Sequence, residues 1–177
     1  YLTASSQTLK TVILHLGGAS LLLRGAKILS AFSKEHLYEL HLNVMECEFG
    51  DEGIKALAPL KNTPGLHILH MDLENNALGP AAAAVMAGLR EMPCLTDLWL
   101  DFEANHLGPH GAYALSALKT ASVLQTLVLN FNSNVIGDSG AAALVAFREA
   151  PMIHTMKLHL THNQITDLGA LALVLLA

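Results

Sequence analysis

The chain has 177 residues, a length typical of one domain, and it is 52% apolar and only 14% charged, which is ample material for a buried core. Its formal net charge is −5, with ten Lys and Arg residues spread along the chain. This balance argues against nucleic-acid binding, which usually requires a basic stripe. The two cysteines, Cys47 and Cys94, are too few for a disulfide framework and favour a reducing, intracellular compartment.

No targeting or membrane segment is predicted. Residues 1–8 lack the charged and apolar regions of a signal peptide, and the longest apolar run, near the C-terminal end, is too short to span a bilayer. The chain begins without an initiator Met and stops within a helical pattern that has no polar cap. We therefore expect residues 1–177 to be one domain that is a fragment of a longer chain.

The chain consists of a unit that recurs at an almost constant period. The first step between successive units is 28 residues and the following steps are 29 residues. Such a regular period predicts a solenoid, in which each unit packs only on its neighbours. The units begin at Leu9, Leu37, Leu66, Leu95, Leu124 and Ile153, and they span residues 9–36, 37–65, 66–94, 95–123, 124–152 and 153–177.

Each unit is predicted to contain a strand, a turn and a helix. In the fourth unit, apolar and polar residues alternate from Leu98 to Phe102, the pattern of a strand with one buried face. After an asparagine-containing turn, Ala112, Leu115 and Leu118 recur at three-residue spacing. This spacing places them on one stripe of a helix of about three turns.

The string L-x-x-L-x-L-x-x-x-x-N-x-L-G-x-x-G-A-x-x-L resembles the leucine-rich repeat, and the unit length resembles its ribonuclease-inhibitor-like class. The asparagine position departs from the family pattern, since Asn105 follows Leu100 by five residues where the family usually has three. We interpret this as a lengthened strand with a third inward residue, Phe102. The resemblance implies an α/β horseshoe-shaped solenoid, with a parallel β-sheet on the concave side and α-helices on the convex side.

Several polar positions are expected to support this fold. In the family, the recurring asparagine hydrogen-bonds loop backbone groups, which need partners once stacking buries them. The asparagines are Asn76, Asn105, Asn134 and Asn163, with Cys47 at this position in the second unit. Carboxylates at helix starts can cap free amides, and cations at helix ends favour the helix dipole. These residues are Asp51, Asp138 and Asp167, and Lys61, Arg90, Lys119 and Arg148.

The strand residues that point away from the core provide the candidate partner-binding site. Strands lie about 4.8 Å apart, so equivalent residues of adjacent units are neighbours. Together these residues form an acidic block around the only tryptophan. The candidate site consists of His41, His70, Asp72, Glu74, Asp97, Trp99, Asp101, Glu103 and Asn130. Like charges at this spacing repel by about 1 kcal/mol in water. A partner segment that carries Lys or Arg and is anchored on Trp99 would compensate these negative charges.

Two other interpretations of this surface stay open. The carboxylates could form a hydrated face that only aids solubility, or His41, His70 and Asp72 could bind a divalent transition metal. Because an open, gently curved sheet has no closed pocket, we predict neither a metal site nor a cofactor. No nucleophile with a nearby base, no phosphate-binding glycine loop and no enclosing cleft is evident, so we predict no enzymatic activity.

The outward faces of three helices are unusually apolar. An extensive apolar patch tends to mark a contact surface, although alanine also simply favours helix. The residues are Ala81, Ala84, Ala87 and Gly88 in the third unit, Ser139, Ala142, Val145 and Ala146 in the fifth, and Leu168, Leu171, Val174 and Leu175 in the sixth.

These patterns predict a non-catalytic protein–protein interaction scaffold that presents a rigid concave surface with a central acidic and tryptophan patch. The alternative is a structural subunit of a large multiprotein assembly, held through apolar helix faces and solenoid ends. The expected partner is a protein with a basic segment in the first case and neighbouring subunits in the second. We expect no nucleic-acid partner and no direct membrane span.

Overall fold

The computed structural model describes residues 9–34 and 36–176. Residues 1–8, in which no signal peptide was predicted, lie outside this description, as do Glu35 and Ala177. Within the described part, six strands form one parallel sheet in chain order. The strands are Thr11–His15 (β1), Glu39–Asn43 (β2), Ile68–Asp72 (β3), Asp97–Asp101 (β4), Thr126–Asn130 (β5) and Thr155–His159 (β6).

A helical segment follows each strand and returns the chain to the end of the sheet at which the strands begin. The α-helices are Leu22–Leu29 (α1), Gly50–Leu57 (α2), Pro80–Met86 (α3), Gly108–Leu115 (α4), Gly137–Leu144 (α5) and Asp167–Leu173 (α6). Each continues into a 3₁₀ helix, namely Ser30–Lys34, Ala58–Asn62, Ala87–Glu91, Ser116–Thr120, Val145–Glu149 and Val174–Leu176. Consecutive units therefore stack strand on strand and helix on helix, which confirms the predicted solenoid.

The helical segment differs from the single helix of about three turns that the spacing predicted. In the fourth unit the α-helix ends at Leu115, and Leu118 lies in the following 3₁₀ helix. Both side chains are buried. A 3₁₀ helix has three residues per turn, so an apolar residue at every third position keeps facing the core after the α-helix ends.

The strands follow the alternation seen in the sequence. In β4, Leu98 and Leu100 are buried while Trp99 is exposed to solvent. The regular strand ends at Asp101, one residue before Phe102, but the ladder continues because the Phe102 N–H donates to the Asn130 carbonyl at 2.9 Å. Phe102 is buried and its ring lies 6.4 Å from that of Phe131, so it is the third inward residue that we predicted.

The recurring asparagines form a buried ladder along the turn side of the solenoid. The ladder consists of Asn76, Asn105, Asn134 and Asn163. The side-chain oxygen of Asn105 accepts hydrogen bonds from the N–H groups of Asn76 (3.1 Å) and Leu78 (2.9 Å) in the preceding unit. Its amide nitrogen donates to the carbonyls of Leu73 and Phe102, both at 2.9 Å. Each ladder side chain therefore satisfies backbone groups of two units.

In the second unit, Cys47 stands at the ladder position. Its thiol donates to the Leu16 carbonyl at 3.3 Å, while its own N–H donates to the side-chain oxygen of Asn76 at 3.1 Å. Burial raises the pKa of the Cys47 thiol. A thiol that is buried and held protonated is a poor nucleophile, so Cys47 has a structural role.

The predicted capping carboxylates act on a different helix from the one expected. Asp51 accepts a hydrogen bond from the Gly79 N–H at the start of α3 (2.7 Å), and Asp138 accepts one from the Thr166 N–H at the start of α6 (2.7 Å). Each therefore caps the helix of the following unit, because stacking places successive helix starts side by side. Thr166, rather than Asp167, is the N-cap residue of α6.

We expect Asn105→Ala to lower the free energy of unfolding by about 3 kcal/mol, because it leaves at least two buried backbone N–H groups without acceptors at about 1–3 kcal/mol each. Urea unfolding of the full chain measures this loss.

Asn62→Ala is the matched control, since Asn62 is exposed at the end of a 3₁₀ helix. We expect it to change the free energy of unfolding by no more than about 0.5 kcal/mol. Similar losses in both variants would show that the ladder does not stabilise the stack.

Candidate functional site

The strand side chains that point away from the core form two parallel columns on the concave surface. The ring column consists of His41, His70 and Trp99, and the polar column consists of Asn43, Asp72, Asp101 and Asn130. Members of one column pair in register across adjacent strands. The columns stand two residues apart on each strand, so their side chains leave the sheet on the same side.

The side chains of the ring column contact one another. The centroids of His41 and His70 are 4.3 Å apart, and those of His70 and Trp99 are 5.3 Å apart in an edge-to-face arrangement. Trp99 keeps 44% of its surface exposed. Aromatic pairs in this distance range attract each other beyond their area of contact, so the ring column is a supported apolar wall with an accessible indole at one end.

The two aspartates of the polar column are held in place on both sides. The Asp72 carboxylate accepts hydrogen bonds from the Glu74 N–H (3.2 Å) and the Asn43 side-chain amide (2.7 Å). The Asp101 carboxylate accepts from the Glu103 N–H (2.9 Å) and the Asn130 side-chain amide (3.0 Å). Flanking amide groups, rather than cations, therefore offset part of the predicted repulsion between the carboxylates.

Asn130 has a supporting place in the candidate site. Besides Asp101, its amide donates to the Glu103 carboxylate at 3.0 Å, and Asn132 donates to the same carboxylate at 3.3 Å. These contacts orient the carboxylates toward the strands that follow. Asn130 is itself buried, so the residue positions its neighbours and offers little surface to a partner.

A shallow trough of about 190 Å³ lies between the two columns. Five of the nine candidate residues line it, namely His41, His70, Asp72, Trp99 and Asp101. The structure does not bring the other four to its walls: Glu74 and Glu103 follow their strands, Asp97 lies at the opposite end of β4, and Asn130 is on β5. His15 and Asn43 also line the trough, although our candidate site omitted them. Both stand at the polar-column position, on β1 and β2, and this shared position is the signal that could have identified them.

Ionisable groups in and beside the trough have shifted pKa values. Burial raises the pKa of Asp72, and the charges of Asp101 and Glu103 raise it further. Burial, followed by the Glu103 charge, likewise raises the pKa of Glu74. Burial and then the neighbouring His41 lower the pKa of His70. The surroundings of the trough therefore favour the neutral imidazole of His70 and disfavour the ionised carboxylates of Asp72 and Glu74 when no cationic partner is present.

A hydrogen bond of opposite effect lies at the edge of the trough. His41 Nε2 lies 2.7 Å from the Glu39 carboxylate, and this contact, followed by the Thr11 hydroxyl, lowers the pKa of Glu39. The alternative in which His41, His70 and Asp72 bind a metal is not supported: within residues 9–34 and 36–176, no group of three His, Cys, Asp or Glu side chains could hold a metal ion.

The exposure of the apolar residues on the outward helix faces differs between units. In the sixth unit, Leu168 and Leu171 of α6 are 72% and 68% exposed, and Val174 of the following 3₁₀ helix is 69% exposed. We predicted that Ala87 of the third unit lies on the outer face, but it is buried. Ala87 begins the 3₁₀ helix, whose tighter turn directs it toward the core.

In the described part of the chain, no helix has the combined length and apolar character that crossing a membrane requires.

The cations near the helix ends form ion pairs between units. Lys61 contacts Glu91 at 2.7 Å and Lys119 contacts Glu149 at 2.6 Å, each pair joining consecutive units. Exposed pairs of this kind contribute at most about 1 kcal/mol. Arg90 also contacts Glu91 of its own unit at 3.8 Å. Three of the four cations therefore have acidic partners, which favours a structural role for these residues.

The family comparison agrees with this architecture. The family model described as Leucine Rich repeat matches residues 40–58, 123–145 and 154–174. Each match covers the α-helix and all or most of the strand of one unit. A search of curated proteins found no match. The three matches and the six stacked strand–helix units are consistent with a leucine-rich repeat protein, and the open parallel sheet has the architecture of a leucine-rich repeat solenoid. Such repeats generally act as protein interaction modules and are typically non-catalytic.

We expect carbon-detected NMR titration to place the pKa values of Asp72 and Glu74 above the ordinary carboxyl values of about 3.9 and 4.3, and that of Glu39 below. A carboxyl with a raised pKa in the folded state destabilises the fold when ionised, and this effect disappears as the pH falls through that pKa. The stability of Asp72→Asn relative to wild type should therefore decrease as the pH falls from neutral.

Glu39→Gln provides the control with the opposite sign. A lowered pKa means that ionised Glu39 stabilises the fold above its unfolded-state pKa, and this stabilisation is lost on acidification. The stability of Glu39→Gln relative to wild type should therefore increase as the pH falls. Urea unfolding between about pH 7 and pH 4 spans the ordinary carboxyl range, and parallel curves for the two variants would contradict the assignment.

Proposed function

We propose that the chain is a non-catalytic scaffold whose concave surface binds a protein partner through a basic segment. The observation that carries this proposal is the half-exposed Trp99 beside carboxylates without cationic partners. Among the described residues, no Lys or Arg forms a salt bridge with the five acidic residues of the candidate site. These are Asp72, Glu74, Asp97, Asp101 and Glu103.

The physical properties of this surface favour such a partner. Tryptophan is enriched among the residues that dominate binding energy at protein interfaces, and a cation above an indole face gains about 0.5–2 kcal/mol. Carboxylates concentrated on one surface accelerate the encounter with a basic partner and reject an acidic one. Five strand gaps of about 4.8 Å span roughly 24 Å, enough for about seven residues of an extended segment.

The unit length and the cysteines support two narrower proposals. The steps of 28 and 29 residues favour the ribonuclease-inhibitor-like class of leucine-rich repeats. Cys47 and Cys94 are both free, and Cys47 is buried, as suits a protein of a reducing intracellular compartment. The absence of a basic stripe favours a protein partner over nucleic acid.

The test is quantitative affinity capture from the native cells with wild-type chain and the triple variant Trp99→Ala, Asp72→Asn, Asp101→Asn. We expect a partner with a Lys- or Arg-rich segment to be recovered by wild type, lost from the variant, and released from wild type between about 0.15 and about 0.5 M NaCl, since salt screens exposed charges. Circular dichroism checks that the variant keeps its fold.

A variant on other surfaces is the matched control. Tyr113→Ala, Glu48→Gln and Glu52→Gln also remove one exposed ring and two exposed carboxylates, but none of these side chains lies on the concave face of a strand. This variant should retain the partner. Equal recovery with the wild-type chain and the triple variant would contradict the proposed binding surface.

A second candidate function is a structural subunit of a large assembly. The observation that favours it is the apolar outward face of α6 and the 3₁₀ helix that follows it, where Leu168, Leu171, Val174 and Leu175 are all more than half exposed. Side chains of this size rarely form a contiguous exposed patch on a monomer. This candidate places the contact on the convex side, away from the ring and polar columns.

We expect the two candidates to differ in how the native complex responds to salt and mutation. A subunit contact through α6 predicts a stoichiometric complex that resists about 0.5 M NaCl and is lost in Leu168→Gln, Leu171→Gln. These exposed positions should change the free energy of unfolding by no more than about 0.5 kcal/mol. Sizing of the isolated complex measures both responses, and retention in the α6 variant excludes this candidate.

A further inference from the structure

We infer that the trough between the ring and polar columns binds one arginine side chain of the partner. The inference rests on the proposed function and specifies the chemical group that the concave surface recognises. The trough has about 190 Å³ of room, equivalent to about six water molecules at about 30 Å³ each. It therefore suits a single side chain rather than a folded element.

The two sides of the trough differ in chemistry in the way that a planar cation requires. One side is the ring column, with His70 packed edge-to-face on Trp99 and the indole half exposed. The other side carries the carboxylates of Asp72 and Asp101. A guanidinium group is planar, stacks on aromatic faces and donates five N–H groups from its edge, whereas an ammonium group has no face to stack.

The carboxylates are positioned to accept such an edge. Asp72 and Asp101 are register partners on β3 and β4, so they lie about one strand spacing apart, near 4.8 Å. Each carboxylate oxygen already accepts one hydrogen bond from a backbone amide or an asparagine. Since each oxygen can accept about two hydrogen bonds, capacity remains on both residues for a bridging guanidinium.

The remaining groups of the trough are compatible with this occupant. Burial and His41 lower the pKa of His70, so near neutral pH its ring is uncharged and does not repel a cation. Asn43 and His15 complete the polar side. Leu42 and Met71 also line the trough, but their side chains are buried in the core, so these two residues contribute only backbone to its floor.

The experiment uses the indole N–H signal of Trp99 in ¹⁵N NMR spectra, which is unique because the chain has one tryptophan. The probes are three capped pentapeptides of sequence Gly-Ser-X-Ser-Gly, in which X is arginine, lysine or citrulline. We expect the arginine peptide to shift this signal saturably, the lysine peptide to bind about tenfold more weakly, equivalent to about 1.4 kcal/mol, and uncharged citrulline to produce no saturable shift.

Two variants with equal charge changes localise the binding. Asp72→Asn, Asp101→Asn removes the two carboxylates of the trough and should weaken the arginine peptide by about tenfold or more. Glu74→Gln, Asp97→Asn removes two carboxylates that do not line it and should change the affinity less than about threefold. Equal losses in the two variants would overturn the inference, because a diffuse acidic face would then suffice.

The outcomes separate this inference from the proposed function. If lysine and arginine peptides bind equally and the trough variant weakens both, the arginine assignment is wrong while recognition of a basic segment stands. If no charged peptide shifts the Trp99 signal while native partner capture still depends on Trp99, Asp72 and Asp101, the single-side-chain pocket is wrong. If capture is also unchanged by the triple variant, both proposals fail.

Discussion

The fold depends on one constraint, which is that the backbone groups buried by stacking must find partners in the adjacent unit. A strand–turn–helix unit of 29 residues cannot enclose its own polar backbone, and the asparagine ladder satisfies the turns that the sheet does not reach. Asn105 illustrates this, because one side chain receives two N–H groups of the preceding unit and binds carbonyls of both units. The ladder thereby sets the spacing that brings equivalent strand residues into register.

Register in turn creates the candidate site. His41, His70 and Trp99 are far apart in sequence, yet parallel pairing places them side by side, and the same pairing aligns Asp72 with Asp101. A solenoid therefore builds a surface by repeating one position with different residues, and no loop or cleft is needed. Because the strands are rigid and their registers fixed, partner recognition would require little ordering of this surface, which reduces the entropic cost of binding.

The sequence predicted the parts of this structure that depend on periodicity. The strand faces, the columns, the third inward residue and the asparagine ladder all follow from which residues recur every 29 positions. Two features did not follow. The three-residue spacing of Leu115 and Leu118 did not distinguish an α-helix from a 3₁₀ helix. Nor could the sequence show that Asp51 caps the helix of the next unit, because the residue type alone does not indicate which helix supplies the amide groups. For the site, the sequence identified the two columns but not the amide contacts of Asn43 and Asn130 with the aspartates, because side-chain hydrogen bonds depend on rotamers.

The carboxylates of Asp51 and Asp138 also bear on how such an array can change by duplication or exchange of units. Each belongs to one unit but completes the helix start of the next, where the chain places Gly79 or Thr166 in an extended conformation. In the fourth and fifth units a glycine N–H at the helix start instead donates to a backbone carbonyl of the following unit. The units are thus not interchangeable modules. A unit that carries such an aspartate is compatible only with a following unit whose helix begins in the matching conformation. Duplication or exchange must therefore keep the two sides of such a junction together.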